Sequence, residues 1–300
     1  FPISSALFIE FNRQMHEESR KATAVVADRL SRHVALKSHR SIQLEETRSF
    51  IAECSASDVE VDLDIDVWTV PLNVNDVIGM ASLLGRNNIT KKAFPGAPRK
   101  MQIMVAENLF KVKLSDMLKE SIPDNDTSDY EISAKLNSRL NREQKDMSQK
   151  EMEDIELLEG MEEYACALIA ISYAKKYRGK IPPIIAEPSF SELRKTMDIM
   201  FYACKGKDGD KARRSLRMID TSSKLYASYR RDRAKGFDKN DGIDILHASM
   251  AIPYCDAFLS EAKLAEKIKQ KNSEVLKFYP GCQVSGAVDD SISILEDIIR

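Results

Sequence analysis

Residues 59–72, VEVDLDIDVWTVPL, alternate apolar and acidic side chains, so Val61, Leu63, Ile65 and Val67 share one face and Asp62, Asp64 and Asp66 the other. A period of two marks a half-buried strand. Three aspartates on one face are able to bind a divalent cation, although a wet or edge-protecting strand face is the plainer reading. Upstream, PISSALFIEF is a short apolar stretch behind Pro2. It runs into a segment where Phe11, Met15, Val25, Val26, Leu30 and Val34 recur at helical spacing. The pattern predicts a strand and then a long helix. A second helix follows over 41–53, with Ser41 as N-cap and Gln43 to Glu46 in its first turn.

From Asn75 to Arg178 the spacing is helical, broken by the turn signals Pro95-Gly96-Ala97-Pro98 and Pro123-Asp124-Asn125-Asp126. This reads as a helical insertion. A helix over 150–177 should close at Gly179, with Pro182 and Pro183 barring its continuation. Another helix opens near Ser189 or Ser191. In the last third, Ile243, Leu246 and Ile252 suit a buried helix, Tyr254 to Ser260 a short core strand, and Glu261 to Lys271 the start of a new helix. Helix, strand, helix is the order of an open α/β sheet. The chain has no internal repeat and no low-complexity tract.

Composition narrows the class. A chain of 300 residues can bury a substantial core without disulfides. Its five cysteines (Cys54, Cys166, Cys204, Cys255, Cys282) are odd in number, scattered and without a C-x-x-C pair, which argues against a secreted disulfide framework and a zinc site. A reducing compartment, the cytoplasm, is expected. The longest apolar patch, ACALIAISYA at 165–174, is about half the roughly 20 residues that span a bilayer. The opening FPISSALFIE lacks the basic start and cleavage site of a signal peptide and reads as the interior of a domain, so further residues are expected upstream.

The net charge of −2 hides an uneven distribution. Residues 116–163 carry 15 acidic and 6 basic side chains, and residues 205–239 carry 12 basic and 5 acidic ones. Such asymmetry points to an anionic partner for the basic segment, against the plainer reading of solvated helix faces.

The chemistry concentrates in NDGIDILHASMAIPYCDAFLSEAKLA, residues 240–265. Asp241, Asp244 and His247 succeed one another at i, i+3 on one helix. Asp256 and Glu261 stand at the two ends of the following strand. Side chains at a helix start and at the carboxyl end of a neighbouring strand converge on one rim of an α/β sheet. Converging carboxylates are what hard divalent cations require.

This segment resembles the C-terminal half of PIN-domain ribonucleases. The likeness lies in Asn240-Asp241-x-x-Asp244-x-x-His247, in Pro253-Tyr254-Cys255-Asp256-Ala257-Phe258, and in Leu259-Ser260-Glu261, which is similar to the Thr-Asp or Thr-Glu after that family's core strand. PISSALFIEF looks like the family's second strand and following helix, with Glu10 in the place of an acidic ligand. The resemblance covers residues 1–50 and 186–300. It implies a PIN-like Rossmannoid parallel sheet flanked by helices, split by a mostly helical insertion. The expected divisions are a truncated N-terminal part over 1–74, the insertion over 75–185 and the C-terminal part over 186–300. The family's first strand, which ends in an aspartate, would lie before Phe1.

The resemblance further implies a Mg²⁺- or Mn²⁺-dependent endoribonuclease with Glu10, Asp244 and Glu261 as catalytic residues. Glu10, Asp241, Asp244, Asp256 and Glu261 would hold the metal. The basic segment before the acidic helix, with Arg213, Arg214, Arg230 and Arg231 at its heart, would hold RNA phosphates while Tyr226 and Tyr229 stack on bases. A role as toxin or defence effector rests on family analogy. Each residue also has a plainer reading: Asp241 as N-cap, Asp244 as an acid at the third helical position, Asp256 as the start of a strand, His247 as a core group and Cys255 as a small buried side chain. The rival functions are a catalytically inactive PIN-like scaffold that binds a protein partner through the insertion, and a purely structural helical protein. Oligomeric state is not legible in the sequence.

Overall fold

The structure, a computed structural model, describes residues 16–31, 34–36, 39–54, 69–71, 139–140, 143, 145–176, 188–232, 237–238 and 240–299. The chain divides into two compact units, residues 1–42 with 64–127 and residues 43–63 with 128–300. The opening strand, the three-aspartate face at 62–66, the two turn signals and Gly179 lie outside the described residues.

In the first unit α1 (Glu17–Ser31) is followed by β1 (Val34–Leu36), which pairs antiparallel with β2 (Thr69–Pro71), Val34 opposite Pro71 and Leu36 opposite Thr69. Spacing alone carries Val34 into the helix. Instead it opens a strand, because ladder pairing with a distant segment satisfies its backbone and overrides the local period.

The second unit holds α2 (His39–Cys54) from Gln43 onward, α3 (Gln149–Lys176), α4 (Phe190–Lys205), α5 (Gly209–Ser215) and α6 (Arg217–Arg231). Helix α2 starts two residues before Ser41, so that serine lies within the first turn and is not its cap. A capping box starts α3: the Ser148 N–H donates to Glu151 Oε2 at 2.8 Å and the Glu151 N–H to Ser148 Oγ at 3.3 Å. The start of α4 is as the sequence reads, with Ser189 Oγ accepting the Glu192 N–H at 3.2 Å. Helix α3, expected within the insertion, belongs to the same compact unit as residues 186–300 and packs along α6 and α4.

Helix α6 buries Met218, Leu225 and Ala227 but also Asp220, Thr221, Lys224 and Arg230. Within the basic segment α6 is therefore an interior helix, whereas Lys207, Lys211, Arg214 and Arg231 are exposed. The buried charges of the segment are matched within the fold: Arg213 reaches Asp220 at 3.1 Å and Asp154 at 3.4 Å, Lys224 also pairs with Asp220, and Arg230 with Glu156. Charges leave water only when paired in this way.

Beyond α6 come α7 (Asp241–Ala251), β3 (Ala257–Leu259), α8 (Ala262–Lys269), a 3₁₀ turn at Lys271–Ser273, α9 (Val275–Phe278), β4 (Gln283–Ser285) and α10 (Val288–Ile299). Strands β3 and β4 are parallel, Phe258 opposite Val284, with Ser260 N–H to Ser285 O at 2.9 Å and Gln283 N–H to Asp256 O at 2.8 Å. Parallel neighbours require a crossover, which α8 and α9 supply. Leu225, Ile245, Ile252, Phe258, Ile268 and Val284 form the core between this βαβ unit and helices α6 and α7. A mostly helical chain with a small parallel sheet is compatible with the α/β class. Among the described residues no helix is long and apolar enough to cross a membrane.

Gly286 fixes the approach of α8 to β4. A Cβ there would stand 2.6 Å from Ala262 Cα, so only glycine admits the start of the helix that follows Glu261.

Candidate active site

The start of α7 is built on Asp238 rather than on Asp241. Asp238 Oδ1 accepts the N–H groups of Asn240 at 2.8 Å and Asp241 at 3.3 Å, so the capping role expected of Asp241 falls to a residue outside the helix. Asn240 is the N-cap position and Asp241 the first helical residue, which puts Asp244 in the fourth position, not the third. Asp241 is 1% exposed. Its Oδ2 accepts the Asp238 N–H at 2.6 Å, and its Oδ1 accepts Lys263 Nζ at 2.6 Å. Lys263 also reaches Asp238 Oδ2 at 2.8 Å. Desolvation pushes the Asp238 carboxyl up, but the Lys263 ammonium and the Asn240 N–H outweigh it and hold the group below the usual carboxylate range.

At the other end of the site, β3 delivers Glu261 to the N-cap position of α8. Between the two helix starts lies Tyr229, near the end of α6. It is 2% exposed, and its hydroxyl is buried without a hydrogen-bond partner among the described residues. Burial pushes this phenol far above its ordinary range, and the negative charges of Asp241, Asp244, Glu261 and Asp238 push it further. Four carboxylates thus act on one buried hydroxyl without a hydrogen-bond partner among the described residues, and the ammoniums of Lys263 and Lys267 each stand 5.6 Å from the centroid of the same ring. Asp241, Asp244 and Glu261 are the acids that the sequence expects to converge, and what they have in common here is their electrostatic action on this phenol. Asp238, Lys263 and Tyr229 are additions. Asp238 is visible in retrospect as an acid three residues before Asp241, and Lys263 as the only cation in the turn after Glu261.

Asp256 does not join them. It is exposed at the start of β3, and five residues of extended chain put it roughly 16 Å from Glu261 along the strand. Its charge acts on Cys255 and Cys282 instead. Two residues so far apart do not share one ion. Glu10, expected as the partner carboxylate, lies outside the described residues. Among the described residues no group of three or more His, Cys, Asp or Glu side chains is disposed to hold a metal ion as it stands.

The basic residues divide. Arg213 and Arg230 are each 4% exposed and engaged in the ion pairs described above, so they hold helices together and are not open on the surface to an RNA backbone. Arg214 and Arg231 are exposed. Tyr226 stacks on Phe237 at 5.8 Å, and Tyr229, itself buried, meets the same ring edge-on at 5.9 Å, so both serve the packing of this core. His247 packs edge-on against Phe258 at 5.4 Å, and burial lowers its pKa to about 4, which leaves it neutral near pH 7 as a core group. Burial likewise raises the Cys255 thiol to about 11, unsuited to nucleophilic work.

Compared with known proteins, the chain matches no family model, no curated relative and no solved structure.

Proposed function

We propose that the second unit carries a PIN-like, Mg²⁺- or Mn²⁺-dependent endoribonuclease site in which Asp244 and Glu261 are the principal ligands. The observation that supports this reading is that the negative charges of Asp241, Asp244 and Glu261 all act on the buried Tyr229 hydroxyl, which has no hydrogen-bond partner among the described residues. Like charges crowd against a desolvated phenol only at a cost, and a hard cation relieves it. The donor set fits such an ion, since it consists of carboxylate oxygens without competing thiolates. When bound, the ion lowers the pKa of a coordinated water and offsets charge on the scissile phosphate.

The chain's own residues do the remainder. Asp244 belongs to the first turn of α7 and Glu261 is the N-cap residue of α8, on either side of β3. Lys263 holds Asp241 in place and offsets part of the negative field. Glu10 is the further carboxylate expected from the sequence. Substrate choice by the helical insertion, and a toxin or defence role, belong to the same proposal. The pairing of Asp241 with Lys263 favours one rival, an inactive PIN-like scaffold in which the acids serve the fold and the insertion binds a protein partner.

The full-length protein should cleave single-stranded RNA in Mg²⁺ or Mn²⁺ and stop when EDTA removes the ion. Glu261→Gln should fold normally and lose the activity. Metal-independent cleavage would contradict the metal site, and no cleavage by a folded full-length chain would support the scaffold instead.

A further inference from the structure

A second charged feature lies elsewhere in the same unit, bounded by α3, α5, α6 and α9. It is a cavity of about 210 Å³. The cations lining it are Lys150, Arg213, Arg214, Lys224 and Lys277, against the acids Glu153, Asp210 and Glu274. Behind the wall, Arg213 and Lys224 both direct their charge at a single oxygen, Asp220 Oδ1, while Asp220 Oδ2 has no partner. Lys224 is 1% exposed, and its ammonium stands 4.1 Å from the centroid of the Phe278 ring. Arg214 is exposed and has no ion-pair partner among the described residues.

Five cations line the cavity against three acids: Lys224 and Arg213 share Asp220, with Arg213 reaching Asp154 as well, Lys150 and Lys277 pair with Glu153 and Glu274, and Arg214 has no ion-pair partner among the described residues. This concentration of positive charge around a cavity raises the local concentration of anions. The volume decides what kind. At ~30 Å³ for each water the space holds about seven waters. That suits phosphate or pyrophosphate and lies below the roughly 300–1,000 Å³ that encloses drug-sized ligands. Guanidinium and ammonium donors on several helices match the tetrahedral oxygens of phosphate.

We infer that this cavity binds a compact phosphate-bearing anion, held by Arg214, Lys277 and Lys150 at its mouth and by Lys224 and Arg213 at its base. The inference does not depend on the nuclease reading.

The test is calorimetric titration of the full-length protein with inorganic pyrophosphate at fixed ionic strength. Arg214→Ala with Lys277→Ala removes two exposed cations without touching the buried pairs, and thermal unfolding checks that the double variant is folded. Lys269→Ala, an exposed cation that does not line the cavity, controls for general charge. We expect saturable one-to-one binding, weakened about tenfold or more in the double variant and unchanged in the control. Competition by 5′-phosphorylated and 5′-hydroxyl DNA oligonucleotides distinguishes the source. Displacement by the phosphorylated strand alone assigns the site to a strand end, and displacement by neither assigns it to a free small phosphate. No saturable binding at millimolar pyrophosphate, or equal weakening in Lys269→Ala, would overturn the inference.

Discussion

The Tyr254 hydroxyl donates to the carboxylate of Glu46, joining residues 208 positions apart. The same carboxylate accepts the Tyr164 hydroxyl and the Met218 N–H, the latter at 2.7 Å. One side chain of α2 thereby ties together α3, the start of α6 and the turn that leads into β3. Glu46→Ala would leave two hydroxyls and an amide buried without an acceptor, at roughly 1–3 kcal/mol for each group that water does not reach. The expected outcome is a large drop in urea midpoint with an unchanged fold at low denaturant.

Glu46 also gives the protein a pH dependence. Desolvation raises its pKa from 4.5 to about 7 despite its three donors, and burial raises Glu156 to about 7 against the pull of Arg230. In this interval the folded state binds more protons than the unfolded one, so stability falls as pH rises from the unfolded value toward the folded one. Below both values the contribution is complete, and above about pH 7 it has gone. Urea midpoints should therefore decline between about pH 5 and about pH 8, and Glu46→Gln should flatten part of that decline. Midpoints that rise through the interval in the parent, or an unaltered profile in the variant, would contradict the assignment.

Thiol chemistry should follow burial. Desolvation raises Cys204 and Cys282 to about 12 and Cys255 to about 11, whereas Cys54 and Cys166 are exposed. Alkylation of the native protein followed by mass spectrometry should mark Cys54 and Cys166 first, and the other three only on unfolding.

Gly286→Ala forces a methyl group against the backbone of Ala262 at 2.6 Å. Backbone cannot yield as a flexible side chain does, so the cost should be about 1–3 kcal/mol, read as a lowered melting temperature.

Local signals in the chain carried some of these features and missed others, for identifiable reasons. The start of α4 at Ser189, the helix after Asn240 and the short strand were readable, because caps and turns are short-range effects. The interior position of α6 was not. Its Arg230 is buried against Glu156 on α3, far away in sequence, and its Lys224 against Asp220 of the same helix, whereas charge alone reads as exposure. The Asp241–Lys263 pair was missed for a related reason, since it depends on how the starts of α7 and α8 face each other across β3. Asp256 was read as a ligand at the opposite end of the strand from Glu261, and the length of that strand separates them.

The most direct test of the nuclease proposal is Mn²⁺ binding and RNA cleavage by the full-length protein and its Asp244→Asn variant. The asparagine keeps the size of the side chain, so any loss of helix-start stability should be at most about 1 kcal/mol, while the negative charge a hard cation needs is gone. The account predicts a folded variant whose Mn²⁺ affinity falls sharply and whose metal-dependent cleavage is nearly abolished. A folded variant that binds Mn²⁺ and cleaves RNA as the parent does would contradict it.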